Sequence, residues 1–280
     1  MPRIIADSIA CLDQKEAEED AIRVIPLSFY FQGKVYHDWV DISPQEAYKL
    51  FLEDPDSFKS SAISPAEYLE AFREETQKGN DVVCITLSSK ISAGYKAALA
   101  AREMLKDIPN RIEVFDSETV SAAEGFIVRE AARAAKAGKG TDKVLKVARE
   151  MKEKVGFIVL LDTVRHVYRT GRVPRIASQV GGVLNIKPIL TVSSGTLHPV
   201  GIVRSHGQGI ERMIRLMREK VDSGPVHIAV VHAYAEDAAE ELAQTVKEEF
   251  GAVEVWTSEF SPLMGYSTGT GTLGLAFYKE

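Results

Sequence analysis

The sequence predicts an α/β protein of two domains: an amino-terminal α/β/α domain on a parallel sheet and a carboxyl-terminal α+β domain on a mixed sheet. Short apolar runs alternate with helical patterns through the first half of the chain. This order is typical of βαβ units whose parallel sheet is covered on both faces. Beyond about residue 156 a hairpin pattern and a mixed order of elements follow. We therefore expect domains at residues 1–157 and 158–280, with a ligand site in the cleft between them.

The elements of the first domain are marked by apolar runs and by helix caps. Ser43 and Ser64 are each followed by a proline and, three residues on, by a glutamate. This pattern predicts two helices that open with a capping box and have proline at the first helical position. Helices are expected within 41–54, 62–79, 92–107, 119–138 and 141–156. Strands are expected at 3–7, 23–31 (made irregular by Pro26), 81–88 and 111–117.

The second domain is predicted to contain a hairpin. Two apolar runs within 186–205 flank a tight turn at Ser193–Ser194–Gly195, which predicts two antiparallel strands. Further strands are expected at 157–162, 226–233 and 253–260, and helices at about 208–221 and 235–250. The apolar run GTLGLAFYK (271–279) ends the sequence.

Composition and charge argue against several classes of protein. The formal net charge of −6 implies no general affinity for nucleic acid or for an acidic membrane. Cys11 and Cys84 lie far apart in or next to apolar segments, and the six histidines lack metal-ligand spacing, so neither a disulfide nor a metal site is expected. The sequence shows no secretory-signal pattern and no apolar run long enough to span a bilayer. We expect a cytoplasmic protein without a cofactor.

One serine lies where a helix begins beyond a predicted parallel strand. Ser92 follows the strand at 81–88 and precedes the helix that starts near Ala93 or Gly94. The unpaired amides of a first helical turn and the helix dipole favour an anion at such a point, and ligands bind at this edge of parallel sheets. From this stretch alone, a plain helix cap is the simpler interpretation.

Other hydroxyl groups favour the anion site. Ser60 and Ser61 precede the cap at Ser64 and have no structural role that the sequence explains, and Ser267 and Thr268 lie in a third hydroxyl-rich stretch near the end of the chain. Hydroxyls together with oriented amides are one way to offset the cost of burying an anion. The sequence therefore predicts an uncharged, donor-rich pocket for a carboxylate or a phosphate.

Two short motifs resemble those of enzymes but lack the required context. GYSTG (265–269) fits the nucleophile pattern G-x-S-x-G, yet His232, the last histidine, precedes it, and GTGTLG (269–274) lies too close to the end for a dinucleotide fold. A phosphotransferase or hydrolase acting on an acyl or phosphoryl substrate in the same pocket remains an alternative. Its general base would have to be Asp116 or His232, although Asp7 and Asp116 are better explained as acceptors for loop amides. A ligand-free interaction protein is a third alternative.

Seven motifs in order carry a family resemblance over essentially the whole chain. They are ADS (6–8), IPLSF (25–29), KSSAISPAEY (59–68), LSSKISAGYKAA (87–98), VFDSETVSAAEG (114–125), RTGRVPRIASQVGGVLNIKPIL (169–190) and STGTGTLGL (267–275). Each is weak alone, but the ordered set is highly specific. The chain resembles the DegV family, the bacterial fatty-acid-binding proteins that serve as the B subunit of fatty acid kinase.

The resemblance implies a lipid-binding protein of phospholipid metabolism with no catalysis of its own. A long-chain fatty acid such as palmitate would lie between two α/β domains. Its carboxylate would be held by Ser60 and Ser92, with Ser61, Ala93 and Gly94 beside them. The protein would present this carboxylate to a separate ATP-dependent kinase, which makes an acyl phosphate.

A basic cluster would serve the partner. Arg172 falls on the arginine that the family is thought to turn toward the kinase, and Arg165, Arg169 and Arg175 lie close to it in sequence. Docking of an acidic partner or transient contact with lipid headgroups would suit such a cluster. A solvated face is the alternative.

This sequence departs from the family pattern at several positions. Ser60 replaces a threonine and keeps the donor, whereas Ser267 stands where the family usually has a histidine that assists carboxylate binding. The opening motif has Cys11 in place of its second acidic residue. Loss of the histidine removes a possible cationic donor, which predicts a weaker grip on the carboxylate or a different ligand.

Overall fold

The computed structural model describes residues 1–164, 166, 171, 186–221 and 224–280. The strands are β1 (Arg3–Asp7), β2 (Ile22–Ile25), β3 (Ser28–Phe31), β4 (Lys34–His37), β5 (Lys59–Ser61), β6 (Val82–Thr86), β7 (Ile112–Asp116), β8 (Gly156–Leu160), β9 (Lys187–Ser193), β10 (Thr196–Val203), β11 (Val226–His232), β12 (Glu254–Glu259) and β13 (Leu273–Lys279). The helices are α1 (Gln14–Glu19), α2 (Pro44–Glu53), α3 (Pro65–Gln77), α4 (Gly94–Glu103), α5 (Ser121–Lys136), α6 (Thr141–Lys154), α7 (His206–Val221), α8 (Glu236–Phe250) and α9 (Pro262–Thr268).

The strands form three sheets within the described residues, and two of them confirm the predicted combination of a parallel and a mixed sheet. A four-stranded sheet has the order β2-β1-β6-β7 and is parallel throughout. A six-stranded mixed sheet has the order β10-β9-β8-β13-β11-β12. We call the four-stranded sheet with α1 to α6 the amino-terminal lobe, and the six-stranded sheet with α7 and α8 the carboxyl-terminal lobe. Strand β8 begins at Gly156, so the predicted boundary at residue 157 falls inside it; the division into domains stays a prediction.

Local signals placed the starts of α2 and α3 correctly. Ser43 and Ser64 accept hydrogen bonds from the amides of Glu46 and Glu67, and the glutamates bond back to the cap amides, so both capping boxes are formed. The predicted hairpin is also present, because β9 and β10 pair antiparallel around Ser194 and Gly195. Both turn residues have positive φ, +47° and +76°, which matches the backbone that tight hairpin turns need.

The prediction of one irregular strand at 23–31 was wrong. Pro26 and Leu27 interrupt the predicted strand, and the segments on either side of them join different sheets. Strand β2 pairs with β1, whereas β3 pairs with β4 and β5 in a separate three-stranded antiparallel sheet. Proline has no N–H to donate and a fixed φ, so it interrupts a ladder. The break matters for the site, since the three-stranded sheet carries Ser60 opposite the buried Phe29.

The mixed sheet is covered on both faces. One face packs on α7 and α8, and the other packs on the amino-terminal lobe, mainly on α5. Phe126 of α5 makes edge-to-face contacts with Trp256 and Tyr278 of the sheet, and the Arg129 guanidinium pairs with the Glu254 carboxylate at 2.6 Å. The two lobes therefore share an extensive, largely apolar interface.

Helix α9 joins the lobes and was not predicted. Ser261 caps it by accepting from the amide of Leu263, and Pro262 follows at the first helical position. This serine–proline start resembles those of α2 and α3 but lacks their capping glutamate. Tyr48 of α2 donates to the carbonyl of Phe260 at 3.1 Å. A Cβ added at Gly265 would lie 2.1 Å from the Tyr48 ring, so the glycine is what lets α9 pack directly on α2.

Candidate functional site

A cavity lies between the lobes, and its lining combines apolar walls with hydroxyl groups. The apolar lining residues are Ile9, Leu27, Ala62, Leu87, Ile91, Val120, Phe157, Val159, Leu161, Leu190, Leu197, Leu263 and Met264. The polar ones are Ser60, Ser61, Ser92, Ser267 and Thr268. Within the described part of the chain, this lining contains no charged side chain. The structure thus brings all three predicted hydroxyl-rich stretches to one cavity.

Ser60 offers a free hydroxyl. It lies in β5, held in place by pairing with Phe29 of β3, and its side chain is half-buried. Among the described residues, the Ser60 hydroxyl has no hydrogen-bond partner, whereas the neighbouring Ser61 hydroxyl donates to the carbonyl of Ala62 at 3.2 Å. Ser60 can therefore donate to a ligand without breaking a bond within the protein.

The hydroxyl proton of Ser92 is also available for donation. Its Oγ accepts a hydrogen bond from the amide of Gly94 at 3.2 Å, so the hydroxyl proton is not used in that contact. Gly94 and Ala93 form the start of α4, where the helix dipole favours an anion. In this structure the Gly94 amide therefore orients the Ser92 hydroxyl, whereas the sequence-based prediction placed Gly94 beside the ligand carboxylate. An added Cβ at Gly94 would come within 3.2 Å of the Tyr68 hydroxyl oxygen, so this close approach favours glycine.

Ser267 and Thr268 line the cavity from the last turn of α9. Their hydroxyls donate to the carbonyls of Leu263 at 3.2 Å and Met264 at 2.9 Å within the same helix. In this arrangement Ser267 presents lone pairs rather than a proton to the cavity. To donate to an anion in the cavity, Ser267 would have to release the Leu263 carbonyl.

The two aspartates at strand ends brace the loops around the site, as predicted. Asp7 accepts from the amides of Ile9 and Leu87, both at 3.0 Å. Asp116 accepts from the amides of Ser89 at 3.1 Å and Glu118 at 3.0 Å. Burial raises the pKa of Asp7 to about 6, because the charged form loses solvation. These carboxylates therefore fix the backbone of the loops that surround the cavity.

His232 is a strand-end residue with a structural contact. The amide of Ala235 donates to its Nδ1 at 3.2 Å, and burial lowers the pKa of the imidazole. The G-x-S-x-G match at 265–269 lies in helix α9, and the nucleophile elbow needs a strand-to-helix turn there. Neither feature supports hydrolase chemistry.

The apolar lining is the part of the site that sequence reasoning missed. Phe157, Val159 and Leu161 face the cavity side from β8 and its end, whereas Ile158 and Leu160 belong to the core under α7. Alternation of period two in this strand was a usable signal. Because every residue of the run is apolar, the sequence alone does not reveal which of its two faces is the open one.

Some predictions lie outside what the structure describes. Arg165, Arg169, Arg172 and Arg175 fall outside the described residues. Within the described residues, no group of three or more histidine, cysteine or acidic side chains is placed to hold a metal ion. No helix in the same part of the chain is long and apolar enough to cross a membrane.

Comparison with known proteins gives a consistent result. The chain matches the family described as "Uncharacterised protein, DegV family" over residues 2–280. It is 31% identical over 278 residues to a DegV domain-containing protein of Caldanaerobacter subterraneus subsp. tengcongensis, covering 99% of this chain and 98% of that one. It is similar to the structure of DegV from Bacillus subtilis, described as a fatty acid binding protein, at 28% identity and a TM-score of 0.89, covering 99% and 98% of the two chains. A Thermotoga maritima protein whose structure is described as revealing a fatty acid binding function is 26% identical, with a TM-score of 0.87 and 99% of each chain covered.

Proposed function

This chain belongs to the DegV family, and we propose that it binds one long-chain fatty acid between its lobes with the carboxylate at Ser60 and Ser92. The observation that carries the proposal is the composition of the cavity: apolar walls with five hydroxyl residues and, among the described lining, no charge. That combination suits a hydrocarbon chain with a single small polar end. The similar structures from Bacillus subtilis and Thermotoga maritima, both described as fatty acid binding, support the same ligand class.

The energetics favour a division of labour between the tail and the headgroup. Burying one methylene contributes about 0.8 kcal/mol, so a long acyl chain supplies most of the affinity. A carboxylate costs free energy to bury unless it is hydrogen-bonded, and hydrogen bonds to a charged group contribute about 1.5–3 kcal/mol each. Ser60 and Ser92 thus offset the desolvation of the headgroup and fix which end of the ligand points outward.

We further propose that the protein is a carrier and not a catalyst. Asp116 and His232, the candidate general bases, both accept hydrogen bonds from backbone amides, and neither is among the described residues that line the cavity. The carboxylate would be presented to a separate ATP-dependent kinase that makes the acyl phosphate, with Arg172 contributing to the docking surface. Residues 1–157 and 158–280 would be the two domains whose interface holds the acyl chain.

Extraction of the purified protein with organic solvent, followed by mass spectrometry of the extract, tests the ligand class. We expect about one equivalent of a long-chain fatty acid, such as palmitate, per chain. Recovery of only phosphorylated or sugar compounds would refute the proposal. Acyl phosphate formed by the isolated protein with ATP would instead support the enzyme alternative, whereas formation only after addition of a kinase subunit supports the carrier.

A further inference from the structure

The loop that carries Ser92 is hydrogen-bonded to the tip of the β9–β10 hairpin in the other lobe. The hydroxyl of Ser88 donates to the carbonyl of Gly195 at 2.6 Å, and Nζ of Lys90 donates to the carbonyl of Ser194 at 2.7 Å. Ser88 is fully buried, and Lys90 is exposed. These two contacts join the lobes beside the cavity, because the hairpin contributes Leu190 and Leu197 to its wall.

Ser88 also determines the shape of its own loop. Its carbonyl accepts from the amides of Ile91 and Ser92, both at 3.0 Å. Its hydroxyl oxygen accepts from the amide of Lys90 at 3.2 Å, and its amide donates to the carbonyl of Thr119 at 2.9 Å. One buried residue therefore sets the position of Ser92 and, at the same time, holds the hairpin tip.

The contact between loop and hairpin is close. Gly195 has φ +76°, and a Cβ added there would lie 2.7 Å from Ser88 Oγ. A side chain at this position would be strained by the backbone and would push against the loop. Strand β10 lies at the edge of the six-stranded sheet and pairs with β9, so this part of the wall has fewer sheet neighbours than a central strand has.

We propose that Ser88 is a positioning residue of the lipid site: it latches the hairpin tip to the Ser92 loop and thereby limits how fast the ligand enters and leaves. This inference rests on the proposed function. The part of the wall that moves is the hairpin tip with Leu197 of the edge strand β10, whereas Leu190 of β9 is held by pairing with Val159 of β8. Because a latch holds the closed state, weakening it accelerates entry and release together, whereas loss of a ligand contact accelerates release alone.

The first test measures the transfer of a fluorescent long-chain fatty acid from loaded protein to acceptor vesicles in a stopped-flow instrument. Ser88→Ala and Gly195→Ala should each release the ligand roughly five- to tenfold faster, the size expected for one lost hydrogen bond, and should load it faster as well. Ser89→Ala is the matched serine control, since the Ser89 side chain makes no hydrogen bond among the described residues. Gly201→Ala is the glycine control, because its added Cβ meets only ordinary contacts of 3.5 Å or more.

The two latch variants separate positioning from a general loss of structure. Ser88→Ala removes the bond from the Lys90 amide within the loop as well as the bond to Gly195. Gly195→Ala changes the hairpin side of the contact and removes no hydrogen-bonding group of the loop. A reversible version of the test combines Ser88→Cys with Gly195→Cys, so that oxidation can join the loop and the hairpin tip by a disulfide and reduction can separate them. The oxidised protein should retain the ligand longer than its reduced form, and wild type, whose Cys11 and Cys84 are buried and free, should not respond to oxidation.

Hydrogen exchange of the ligand-free protein gives a readout that does not depend on lipid. Ser88→Ala should raise amide exchange at residues 194–196 by roughly tenfold and leave the interior of α5 unchanged. Unchanged transfer rates in both latch variants, or unchanged exchange at the hairpin tip, would overturn the latch. If wild type binds no fatty acid while exchange still rises at the tip, the proposed function fails and the latch between the lobes stands.

Discussion

Replacing Ser60 by alanine removes a hydroxyl that has no hydrogen-bond partner among the described residues. The free protein therefore loses no internal hydrogen bond, and its thermal stability should change little. The bound state loses one hydrogen bond to a carboxylate, about 1.5–3 kcal/mol, which corresponds to a Kd weakened by roughly ten- to 150-fold. Ser60→Thr keeps the donor and should retain most of the affinity.

The assay is a titration of wild type and variants with a long-chain fatty acid and with its methyl ester, alongside melting curves of the ligand-free proteins. The ester carries no charge, so Ser60→Ala should weaken its binding much less than it weakens binding of the acid. A Kd for the acid within twofold of wild type would remove Ser60 from the headgroup site. An equal loss for acid and ester would show that the substitution acts through the shape of the cavity rather than through the charge.

Three further predictions concern packing, pH and the partner. Gly265→Ala places a Cβ 2.1 Å from the Tyr48 ring and should destabilise the protein by about 1–3 kcal/mol, as measured by denaturant unfolding. The control is Gly207→Ala, whose added Cβ has nothing within 4 Å. Equal unfolding midpoints for the two variants would contradict the packing argument. Burial raises the pKa of Asp38 to about 7. Between about pH 4 and pH 7 this carboxyl therefore binds more protons in the folded than in the unfolded state, which adds a negative slope to the dependence of stability on pH. Asp38→Asn should flatten this slope, and an unchanged slope in unfolding experiments would show that another group causes it. Arg172→Glu should spare fatty acid retention and reduce acyl phosphate formation with the kinase; loss of lipid binding would instead assign Arg172 a structural role.

The sequence was sufficient where a structural signal is contained in a few neighbouring residues. The capping boxes at Ser43 and Ser64 need a serine, a proline and a glutamate within four positions, and both were found as predicted. Helix α9 also opens with a serine followed by a proline, Ser261 and Pro262, but Met264 replaces the glutamate, so the local signal for this helix is weaker and the helix was not predicted. The assignment of Asp7 and Asp116 to loop amides also held, because carboxylates at strand ends commonly meet the amides of the loops that follow.

The candidate site was only partly accessible from sequence. The hydroxyl-rich stretches at 59–64, 87–92 and 266–271 predicted one pocket, and each contributes at least one hydroxyl residue to the lining of one cavity. The sequence did not tell which hydroxyls are free: Ser60 is unpaired among the described residues, Ser267 donates to its own helix, and Ser88 bonds to Gly195 in the other lobe. A hydroxyl has one proton, and its partner is chosen by neighbours that are often distant in sequence.

The residues by themselves determined the α/β class, the starts of α2 and α3, the hairpin turn and the hydroxyl groups that the cavity lining contains, since each depends on local backbone preference or on side-chain type. The tertiary structure alone decided that the chain splits at Pro26 into two sheets, that Phe157 and Val159 face the cavity while Ile158 and Leu160 do not, and that the Ser88 loop meets the hairpin at Gly195. These contacts join segments up to 107 residues apart, and only the packing of the two lobes brings such segments together.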